Sequence, residues 1–468
     1  MTAVTEPMSG HIVVLGLGRS GSAVAEYLAR RASDGDHVSV TVVDAASNAA
    51  LRTERDRLVA LGCAVTLGTE SVPADTDLVV ASPGLPPSSA LLRSARERSV
   101  PVISEIEFAY RISSSPWVAV TGTNGKTTTT ALISHLLNHA GIPAESVGNI
   151  GRAATRVASE AGPAAVLVAE VSSFQLALID RFRPRVSVLL NITPDHVDWH
   201  GSLERYEADK VRVFANQAAG DVAVIDVDDD GSRPYAESVA ARSVEVYRVS
   251  TTAANVPGAY LDGTTLVIAT GAEPIPLVDR SELAIHGEHN VSNALAAAAA
   301  AYAAGASVES IREGLKTFRP IEHRLEPAGV AGGVEFVNDS KATNPDAVLK
   351  ALTAFEDRHV IVLLGGYDKG NDFGPLVREI SARGTAAVLF GAAAPRIKAV
   401  FDAHASGPEV PVTVSMAEAL ALAAGAARPG DVVLLSPACA SFDEFDDYEH
   451  RGRVFKDLVH ALPRSPER

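Results

Sequence analysis

Short runs of β-branched and other apolar residues alternate with helical patterns in three successive stretches of the chain, and glycines follow many of these runs. Alternation of this kind predicts an α/β fold, in which parallel sheets are covered by helices. Open sheets of this class bind ligands at the carboxyl ends of their strands, which is where these glycines stand. We therefore predict mostly parallel sheets, with functional sites at the ends of their strands.

The 468 residues exceed what one hydrophobic core usually supports, so two or three domains are expected. A serine-rich run before Pro116 indicates a linker, and the third stretch begins near Pro320. We predict domains over residues 1–113, 114–319 and 320–468. Strands are predicted at 11–18, 38–44, 77–84, 117–122, 165–171, 186–192, 221–227, 334–339, 359–366, 386–391 and 431–438, with helices at 20–31 and 290–304 and a small antiparallel patch within 235–279.

The net charge of −16 argues against broad binding to nucleic acid or to an anionic membrane. The first residues, MTAVTEPMSGHIVVLG, lack the basic region and long apolar stretch of a signal peptide. The longest apolar run, 294–304, is too short to span a bilayer. Two cysteines, Cys63 and Cys439, suit a reducing compartment. We expect a cytoplasmic protein with small-molecule substrates, no nucleic-acid partner and no stable membrane association.

The most specific local signal is the sequence VTGTNGKTT, which stands between a predicted strand and a helical pattern. Gly122 and Gly125 allow the backbone to wrap a phosphate, and a helix N-terminus offers N–H groups and the positive end of its dipole. Lys126 would neutralise the β- and γ-phosphates of ATP, and the Thr127 hydroxyl would ligate Mg²⁺. The match to the P-loop pattern is incomplete, because Val120 occupies the position of its first glycine. An ordinary strand-to-helix turn is the alternative.

A second glycine-rich turn, GLGRSG at 16–21, also joins a predicted strand to a predicted helix, and Asp44 ends the next strand. This arrangement fits the dinucleotide-binding fingerprint, in which the backbone closely approaches a pyrophosphate. NAD and a nucleotide-sugar diphosphate both meet that requirement. A purely structural glycine turn is the remaining alternative.

Four further side chains are candidates for binding or catalysis. Glu170 ends an apolar strand, where a carboxylate beside a P-loop suits Mg²⁺; a glutamate facing solvent is the alternative. His196 lies in a polar turn and is a metal ligand, a proton shuttle or a structural residue. Lys210 lies in a helical stretch and by itself has the pattern of a solvated lysine. Lys341 follows a strand among polar groups, which favours contact with a ligand.

Several motifs, in this order along the chain, resemble those of the ATP-dependent Mur ligases of peptidoglycan synthesis. They are TGTNGKTTT at 121–129, EVSSFQL at 170–176, the HN-x-x-N pattern at 289–293 and EHRLE at 322–326. NDSKATNP at 338–345 and SPACASFDEF at 436–445 look like the members that join D-glutamate to UDP-N-acetylmuramoyl-L-alanine. The resemblance covers essentially the whole chain. It implies a Rossmann-like N-terminal domain for the UDP-sugar, a central P-loop ATPase and a Rossmann-like C-terminal domain for the amino acid.

The resemblance also implies roles for individual residues and weakens the NAD interpretation. ATP would be bound by Gly122, Thr123, Asn124, Gly125, Lys126, Thr127, Thr128, Asn290, Asn293, Arg324 and Lys341. Two Mg²⁺ ions would be held by Thr127, Glu170, His196 and Lys210, the last as a carbamylated lysine, and catalysis would rest on Lys126, Glu170, His196 and Lys210. The UDP-muramoyl moiety would contact Ser20, Ser82, Asn149, Ser172 and Gln175, and D-glutamate would contact Thr343, Lys369, Ser441 and Tyr448.

By the same resemblance, a substrate carboxylate attacks the γ-phosphate of ATP, and the amine of D-glutamate attacks the resulting acyl phosphate. Domain closure about a hinge near 318–322 would protect that acyl phosphate from water, and a monomer is expected. Three alternatives are open: a Mur-type or folylpolyglutamate-type ligase for another amino acid, an NAD-dependent oxidoreductase fused to a P-loop domain, and a regulatory protein that hydrolyses ATP without ligation.

Overall fold

The computed structural model describes residues 9–83, 85–194, 197–254, 257–271, 273–285, 287–319, 322–355, 358–368, 370–404 and 410–462. The chain divides into two compact units, one of Met1–Ala284 with His289–Phe318 and one of Ile285–Glu288 with Arg319–Arg468. The first unit contains two sheets and the second unit one, so the fold is α/β with three sheets. The predicted limits of the three domains stay a prediction. Within the described ranges, none of the helices combines the length and apolar character that crossing a bilayer requires.

The first sheet is parallel throughout, with the strand order β3-β2-β1-β4-β5. Its elements are β1 (Gly10–Leu15), α1 (Arg19–Ser33), β2 (Val38–Asp44), α2 (Ala49–Ala60), β3 (Ala64–Leu67), β4 (Leu78–Ala81), α3 (Ala90–Glu97), β5 (Val102–Ser104) and α4 (Glu105–Ile112). The predicted strands β1, β2 and β4 and the predicted helix α1 are confirmed. The strands β3 and β5 were not predicted; both are short and lie at the two edges of the sheet.

The second sheet has nine strands in the order β14-β13-β12-β11-β10-β9-β6-β8-β7. Its elements are β6 (Trp117–Thr121), α5 (Lys126–His139), β7 (Ala144–Gly148), α6 (Ala154–Glu160), β8 (Val166–Glu170), α7 (Ser173–Leu176), β9 (Val186–Leu189), α8 (Val197–His200), α9 (Leu203–Val211), β10 (Val222–Asp226), α10 (Tyr235–Ala240), β11 (Glu245–Ser250), β12 (Gly258–Asp262), β13 (Thr265–Ala269), β14 (Ile275–Asp279), α11 (Glu288–Ala303) and α12 (Val308–Thr317), with 3-10 turns at Arg212–Phe214 and Arg280–Glu282. The predicted strands β6, β8, β9 and β10 and the long helix α11 are confirmed.

The stretch 235–279, predicted as a small antiparallel patch, continues the second sheet instead. It begins with the helix α10, and β11 pairs in parallel with both β10 and β12. The strands β12, β13 and β14 then pair antiparallel. The predicted antiparallel pairing is therefore confirmed for these three strands, which lie at one edge of the second sheet.

Three glutamates of the first-sheet helices bind elements that cover the second sheet. Glu26 of α1 forms an ion pair with Arg156 of α6 at 2.6 Å. Glu105 of α4 is buried and accepts hydrogen bonds from the N–H and the hydroxyl of Thr155, at 2.7 and 2.8 Å. Glu107, also buried, accepts three backbone N–H groups of the loop after α7. Because a buried carboxylate is stable only with such donors, these contacts hold the two sheets together as one unit.

The third sheet has the order β15-β16-β19-β17-β18, and all its pairs are parallel except β15 with β16. Its elements are β15 (Glu326–Ala331), β16 (Val334–Asn338), α13 (Pro345–Leu352), β17 (Val360–Gly365), α14 (Gly374–Arg383), β18 (Ala386–Phe390), α15 (Ala394–Ala403), α16 (Met416–Ala426), β19 (Val432–Ala438) and α17 (Tyr448–His460), with a 3-10 turn at Thr353–Phe355. The four predicted strands β16, β17, β18 and β19 are confirmed, and β15 was not predicted. Since β16, β19 and β17 are parallel neighbours, the loops that follow them meet at one edge of the sheet.

Candidate functional site

The loop between β6 and α5 has the backbone of a phosphate-binding turn. Gly122 and Gly125 have φ angles of +153° and +82°, in the region that favours glycine, and Gly125 is the N-cap of α5. A Cβ atom added to Gly125 would lie 2.3 Å from Oδ1 of Asn293, so the loop also leaves no room for a side chain there. The loop leads directly into a helix N-terminus, where N–H groups without intrahelical acceptors attract anions.

Asn191, which follows β9, holds this loop in place. Its backbone oxygen accepts the N–H of Thr123 at 2.9 Å, and its Oδ1 accepts the N–H of Asn124 at 2.8 Å. Its Nδ2 donates in return to the carbonyl oxygen of Asn124 at 3.2 Å. Asn191 was not among the predicted site residues, although a polar residue directly after a buried strand was a signal that could have identified it.

Two lysines reach the same part of the loop. Nζ of Lys126 donates to the carbonyl oxygens of Gly122 and Thr123, at 2.9 and 2.8 Å. Nζ of Lys210, on α9, donates to the carbonyl oxygen of Gly122 at 2.8 Å and lies 4.6 Å from the ring centre of Tyr206. Lys210 is 2% exposed, so it is not the solvated helix lysine that its local sequence suggests.

Glu170 ends β8 beside the loop, since it pairs in register with Val120 of β6. Its side chain is buried, and its Oε1 accepts a hydrogen bond from Nδ2 of Asn149 at 3.0 Å. Its Oε2 is buried without a hydrogen-bond partner among the residues that the structure describes. A buried carboxylate oxygen of this kind fits a cation, because a cation offsets the cost of removing it from water. The solvent-facing alternative for Glu170 is therefore wrong.

His196 lies outside the described residues. Four residues later in the sequence, His200, which was not predicted as a site residue, contacts two polar side chains. Nε2 of His200 lies 3.0 Å from Oγ of Ser173, and Nδ1 of His200 lies 2.8 Å from Oδ2 of Asp209. Ser173 and His200 are 2% and 5% exposed. Serine, histidine and aspartate joined in this way can form a catalytic triad, but the Ser173 hydroxyl is buried and a nucleophile must reach its substrate. These hydrogen bonds are therefore structural, and they join the start of α7 to α9, the helix that carries Lys210.

The two asparagines of α11 lie next to the phosphate-binding loop. Both are buried, and Nδ2 of Asn293 donates to Oδ1 of Asn290 at 3.1 Å. The close approach of Asn293 to Gly125 joins α11 to the start of α5. The structure therefore brings Lys126, Lys210 and Asn293 to one loop.

The glycine-rich turn of the first sheet uses its acidic residue internally. Oδ2 of Asp44 accepts the N–H of Leu17 at 2.8 Å, and Oγ of Ser82 donates to the carbonyl oxygen of Gly16 at 3.1 Å. Asp44 therefore helps to hold the glycine-rich turn in place through backbone N–H groups.

The other residues predicted to contact the UDP-muramoyl moiety lie at strand or helix ends. Ser20 is partly buried in the first turn of α1, and Asn149 follows β7 and is exposed. Ser172 caps α7 and shares a capping box with Gln175. Nε2 of Gln175 is buried without a hydrogen-bond partner within the described ranges, which suits a donor to a ligand.

In the second unit, the loops after β16 and β19 carry the predicted amino-acid site. Nζ of Lys341 lies 5.3 Å from the ring centre of Tyr448, at the start of α17. Thr343 is partly buried and Ser441 is buried. Lys369 lies outside the described residues.

Asp339 lies within the motif NDSKATNP but was not among the predicted site residues. Its carboxyl group accepts hydrogen bonds from Oγ of Ser436 at 2.7 Å and from the N–H of Leu325 at 3.3 Å. Burial raises the pKa of Asp339 to about 7, against the lowering effects of the Ser436 hydrogen bond and the charge of Arg324. Both neighbours of Arg324 in sequence have positive φ angles, 65° for His323 and 42° for Leu325, a strained backbone of the kind found at functional sites.

Models of three protein domains match most of the chain. Residues 10–104 match the MurD-like N-terminal domain of Mur ligases, residues 120–301 the Mur ligase middle domain, and residues 323–439 the glutamate ligase domain of Mur ligases. UDP-N-acetylmuramoylalanine--D-glutamate ligase of Pelotomaculum thermopropionicum is 41% identical over 460 residues, which are 97% of this chain and 98% of that protein. The chain belongs to the Mur ligase family.

Relatives of the same name from other organisms are similar to this chain to the same extent. Those of Acidobacterium capsulatum and Geobacillus kaustophilus are each 41% identical over 456 residues, covering 96% of this chain and 96% and 97% of those proteins. As a Mur ligase, the protein is an ATP-dependent, amide-forming ligase of a family that uses ATP and Mg²⁺. The oxidoreductase and regulatory alternatives therefore do not apply.

Solved Mur ligase structures share the fold. A pseudomurein peptide ligase type C from Methanothermus fervidus superposes with a TM-score of 0.58 at 18% identity, covering 97% of this chain and 100% of that one. UDP-N-acetylmuramate-alanine ligase MurC from Thermotoga maritima gives a TM-score of 0.58 at 20% identity, covering 97% of this chain and 99% of that one. At such low identity these likenesses support the architecture alone.

Proposed function

We propose that this Mur ligase joins D-glutamate to UDP-N-acetylmuramoyl-L-alanine while ATP is converted to ADP and phosphate. The observation that carries the proposal is the 41% identity, over 97% of the chain, to an enzyme named for that reaction. The match of residues 323–439 to a glutamate ligase domain supports glutamate as the amino acid. The match of residues 10–104 to a MurD-like domain supports the UDP-linked substrate.

In the proposed first step, the L-alanyl carboxylate attacks the γ-phosphorus of ATP, the bond between that phosphorus and the bridging β-phosphate oxygen breaks, and ADP leaves. Two anions must approach each other, so the step needs fixed positive charge at the phosphates. Lys126 supports this role because its ammonium group lies 2.9 Å from the carbonyl oxygen of Gly122, inside the loop that would wrap the phosphates.

The side chains beside the loop fit Mg²⁺. The orphaned Oε2 of Glu170 and the hydroxyl of the buried Thr127 are oxygen donors of the type that this ion prefers. We assign these two residues, with His196 and Lys210, to the holding of two ions. When bound, Mg²⁺ neutralises phosphoryl oxygens and fixes their geometry.

Lys210 is proposed to carry a carbamate. Addition of CO₂ to its amine would replace a cation that repels Mg²⁺ with an anion that can ligate it. The side chain is buried, and its Nζ contacts the carbonyl oxygen of Gly122, so a carbamate formed there would lie beside the phosphate-binding loop.

In the proposed second step, the neutral amine of D-glutamate attacks the carbonyl carbon of the acyl phosphate. The bond from that carbon to the phosphate oxygen breaks, phosphate leaves, and the new amide nitrogen loses its extra proton. We assign the binding of D-glutamate to Thr343, Lys369, Ser441 and Tyr448, and contacts with the nucleotide to Asn290, Asn293, Arg324 and Lys341. Ser20, Ser82, Asn149, Ser172 and Gln175 are assigned to the UDP-muramoyl moiety, for which the buried Nε2 of Gln175 is a suitable donor.

The proposal is tested by the release of phosphate from ATP in the presence of UDP-N-acetylmuramoyl-L-alanine and one amino acid at a time. We expect release with D-glutamate and not with L-glutamate, lysine or diaminopimelate, and a product heavier by one glutamyl unit. Release with another amino acid would keep the ligase chemistry and overturn the substrate. The cytoplasmic location, the monomeric state and the hinge near 318–322, of which residues 320 and 321 lie outside the described residues, stay predictions.

A further inference from the structure

Arg451, in the first turn of α17, is a charged side chain with no exposed surface. Its guanidinium donates five hydrogen bonds, which is as many as it has N–H groups. Burial lowers the pKa of Arg451 to about 10, so the group stays protonated at neutral pH. A buried cation near a helix N-terminus is unfavourable, both for its lost hydration and for the helix dipole. A contribution to the stability of the fold therefore does not by itself explain why an arginine occupies this position.

The acceptors of Arg451 belong to two of the loops that carry the proposed amino-acid pocket. In the β16 loop (residues 339–344), Nε donates to Oγ of Ser340 at 3.0 Å and Nη2 to its carbonyl oxygen at 2.8 Å. In the β19 loop (residues 439–447), Nη1 and Nη2 donate to the carbonyl oxygen of Cys439, both at 3.1 Å, and Nη1 donates to that of Ala440 at 3.1 Å. One planar group thus joins two loops whose parent strands are neighbours.

A third loop is tied to the same place. The β17 loop (residues 366–368) exchanges two hydrogen bonds with the β19 loop, from the N–H of Tyr367 to the carbonyl oxygen of Ala440 at 2.8 Å and from the N–H of Ala440 to the carbonyl oxygen of Tyr367 at 3.0 Å. A Cβ atom added to Gly366 would lie 3.0 Å from Nη1 of Arg451. The carbonyl oxygen of Ala440 is therefore shared between Arg451 and the β17 loop.

We infer that Arg451 is a positioning residue that holds these three loops in one arrangement for the incoming amino acid. The inference rests on the proposed function for the identity of that amino acid. Thr343 lies three residues after Ser340 in the β16 loop, Ser441 follows Ala440 in the β19 loop, and the β17 loop leads into Lys369. Arg451 thus fixes backbone close to three of the four proposed contacts of D-glutamate.

The charge of Arg451 adds a second effect on the same substrate. The four oxygen atoms that accept its five hydrogen bonds are uncharged, so hydrogen bonding leaves the positive charge in place, while the carboxylates of Asp339, Asp443 and Glu444 act on it through space. D-glutamate carries one net negative charge at neutral pH. A buried cation behind its pocket attracts it more strongly than a surface cation would, because the interior screens charge less than water does.

The test compares three variants of the full-length enzyme. Arg451→Met removes the charge and all donors at similar length, and Arg451→Lys keeps the charge but not the planar set of donors. Arg453→Met is the matched control, since Arg453 lies on the same helix, is half-exposed and pairs with Glu449 at 3.9 Å at the surface. We expect Arg451→Met to raise the KM for D-glutamate by about tenfold or more, with the KM for the UDP-substrate within about twofold of wild type.

Arg451→Lys should give an intermediate KM for D-glutamate, and Arg453→Met should match the wild type. A fall in kcat with no change in the KM for D-glutamate would show a general structural role and overturn the inference. So would a failure of both Arg451 variants to fold, judged by thermal unfolding, because the residue would then serve folding rather than positioning. A wild-type enzyme that shows no activity with D-glutamate would instead overturn the proposed function. In that case the arrangement of the three loops must be measured without a substrate.

The two cysteines supply that measurement. Cys439 is fully buried in the β19 loop, and burial raises its thiol pKa to about 12, so it should react slowly with a thiol reagent. Arg451→Met should speed the modification of Cys439, followed by mass spectrometry of its peptide. Cys63, buried directly before β3 in the first unit, should keep its wild-type rate and serves as the internal control. Equal rates for Cys439 in wild type and variant would overturn the inference whatever the substrate.

Discussion

Lys126 and Lys210 donate hydrogen bonds to the same atom, the carbonyl oxygen of Gly122, at 2.9 and 2.8 Å. Two ammonium groups within reach of one oxygen repel each other, and Mg²⁺ would add to that repulsion. Conversion of one of them to an anion changes repulsion into attraction. Lys126 follows the helix N-cap and is the phosphate-binding candidate, so Lys210 is the one whose charge is expected to change.

We therefore predict that Lys210→Ala is folded but loses activity by about 100-fold or more, since an anionic metal ligand is missing. A short carboxylic acid such as acetate should restore part of that loss by supplying the anion. The assay is phosphate release with and without the acid. Lys316→Ala is the control, because Lys316 lies on α12 and pairs with Glu282 at the surface. Full activity of Lys210→Ala, or its failure to respond to any carboxylate, would contradict carbamylation.

Lys126→Ala should abolish phosphate release while the protein stays folded. The variant removes the cation that would neutralise the β- and γ-phosphates, and it removes two hydrogen bonds to loop carbonyl oxygens without creating a cavity in the core. Phosphate release and far-UV circular dichroism measure the two outcomes. Turnover near the wild-type rate would refute a phosphate-binding role for this loop.

Gly125→Ala should lose ATP binding, and Gly141→Ala should not. Both glycines have positive φ angles, 82° and 74°, so alanine costs about 1–2 kcal/mol of backbone strain at either position. At Gly125 the new Cβ would also lie 2.3 Å from Oδ1 of Asn293, whereas a Cβ at Gly141 would have no atom of the described residues within 4 Å, apart from its chain neighbours. Calorimetric titration with ATP separates the two effects. Equal affinities of the two variants would show that the contact with Asn293 is unimportant.

Asp339→Asn should remove a pH dependence of stability. The carboxyl ionises near 3.8 in the unfolded chain and near 7 in the folded one, so between these values the folded state binds more protons. Its contribution to the free energy of unfolding therefore falls as pH rises through that window, by up to about 1.4 kcal/mol per pH unit. Urea unfolding of wild type and variant from about pH 4 to pH 8 measures the difference. The exposed Asp457 of α17 supplies the control variant, Asp457→Asn; parallel curves for Asp339→Asn and wild type would contradict the prediction.

The sequence predicted most of the buried strands because a run of β-branched residues that is buried on both faces is a local signal. The strands β3, β5, β7 and β15 were not predicted, because these edge strands contain few fully buried positions. The motifs located Lys126 and Lys210, but the burial of Lys210 against Gly122 depends on residues 88 positions apart. His196 and Lys369 lie outside the described residues, and their roles stay predictions.

Asn191 and Arg451 show a second reason why some residues of the site could not be predicted from the sequence. Three of the acceptors of Arg451 are backbone carbonyl oxygens, which every residue possesses. No pattern of side chains in the sequence could therefore have predicted these contacts. Asn191 binds a loop 67 positions earlier through its backbone and its amide group. Contacts of this kind become visible once the three-dimensional neighbours are known.

The buried glutamates of α4 determine how Mur ligases of this type can be recombined. Glu105 and Glu107 precede the predicted domain limit at residue 113, whereas Thr155 and the N–H group of Phe182 that they bind come after it. In a chimaera joined at that limit, Glu105 and Glu107 would face residues of another Mur ligase, and the N–H groups that they now bind would lose their acceptors. Each buried polar group left without a partner lowers the free energy of unfolding by about 1–3 kcal/mol. Exchange between relatives should therefore move the first two sheets as one module, with the junction at Phe318, where the first compact unit ends.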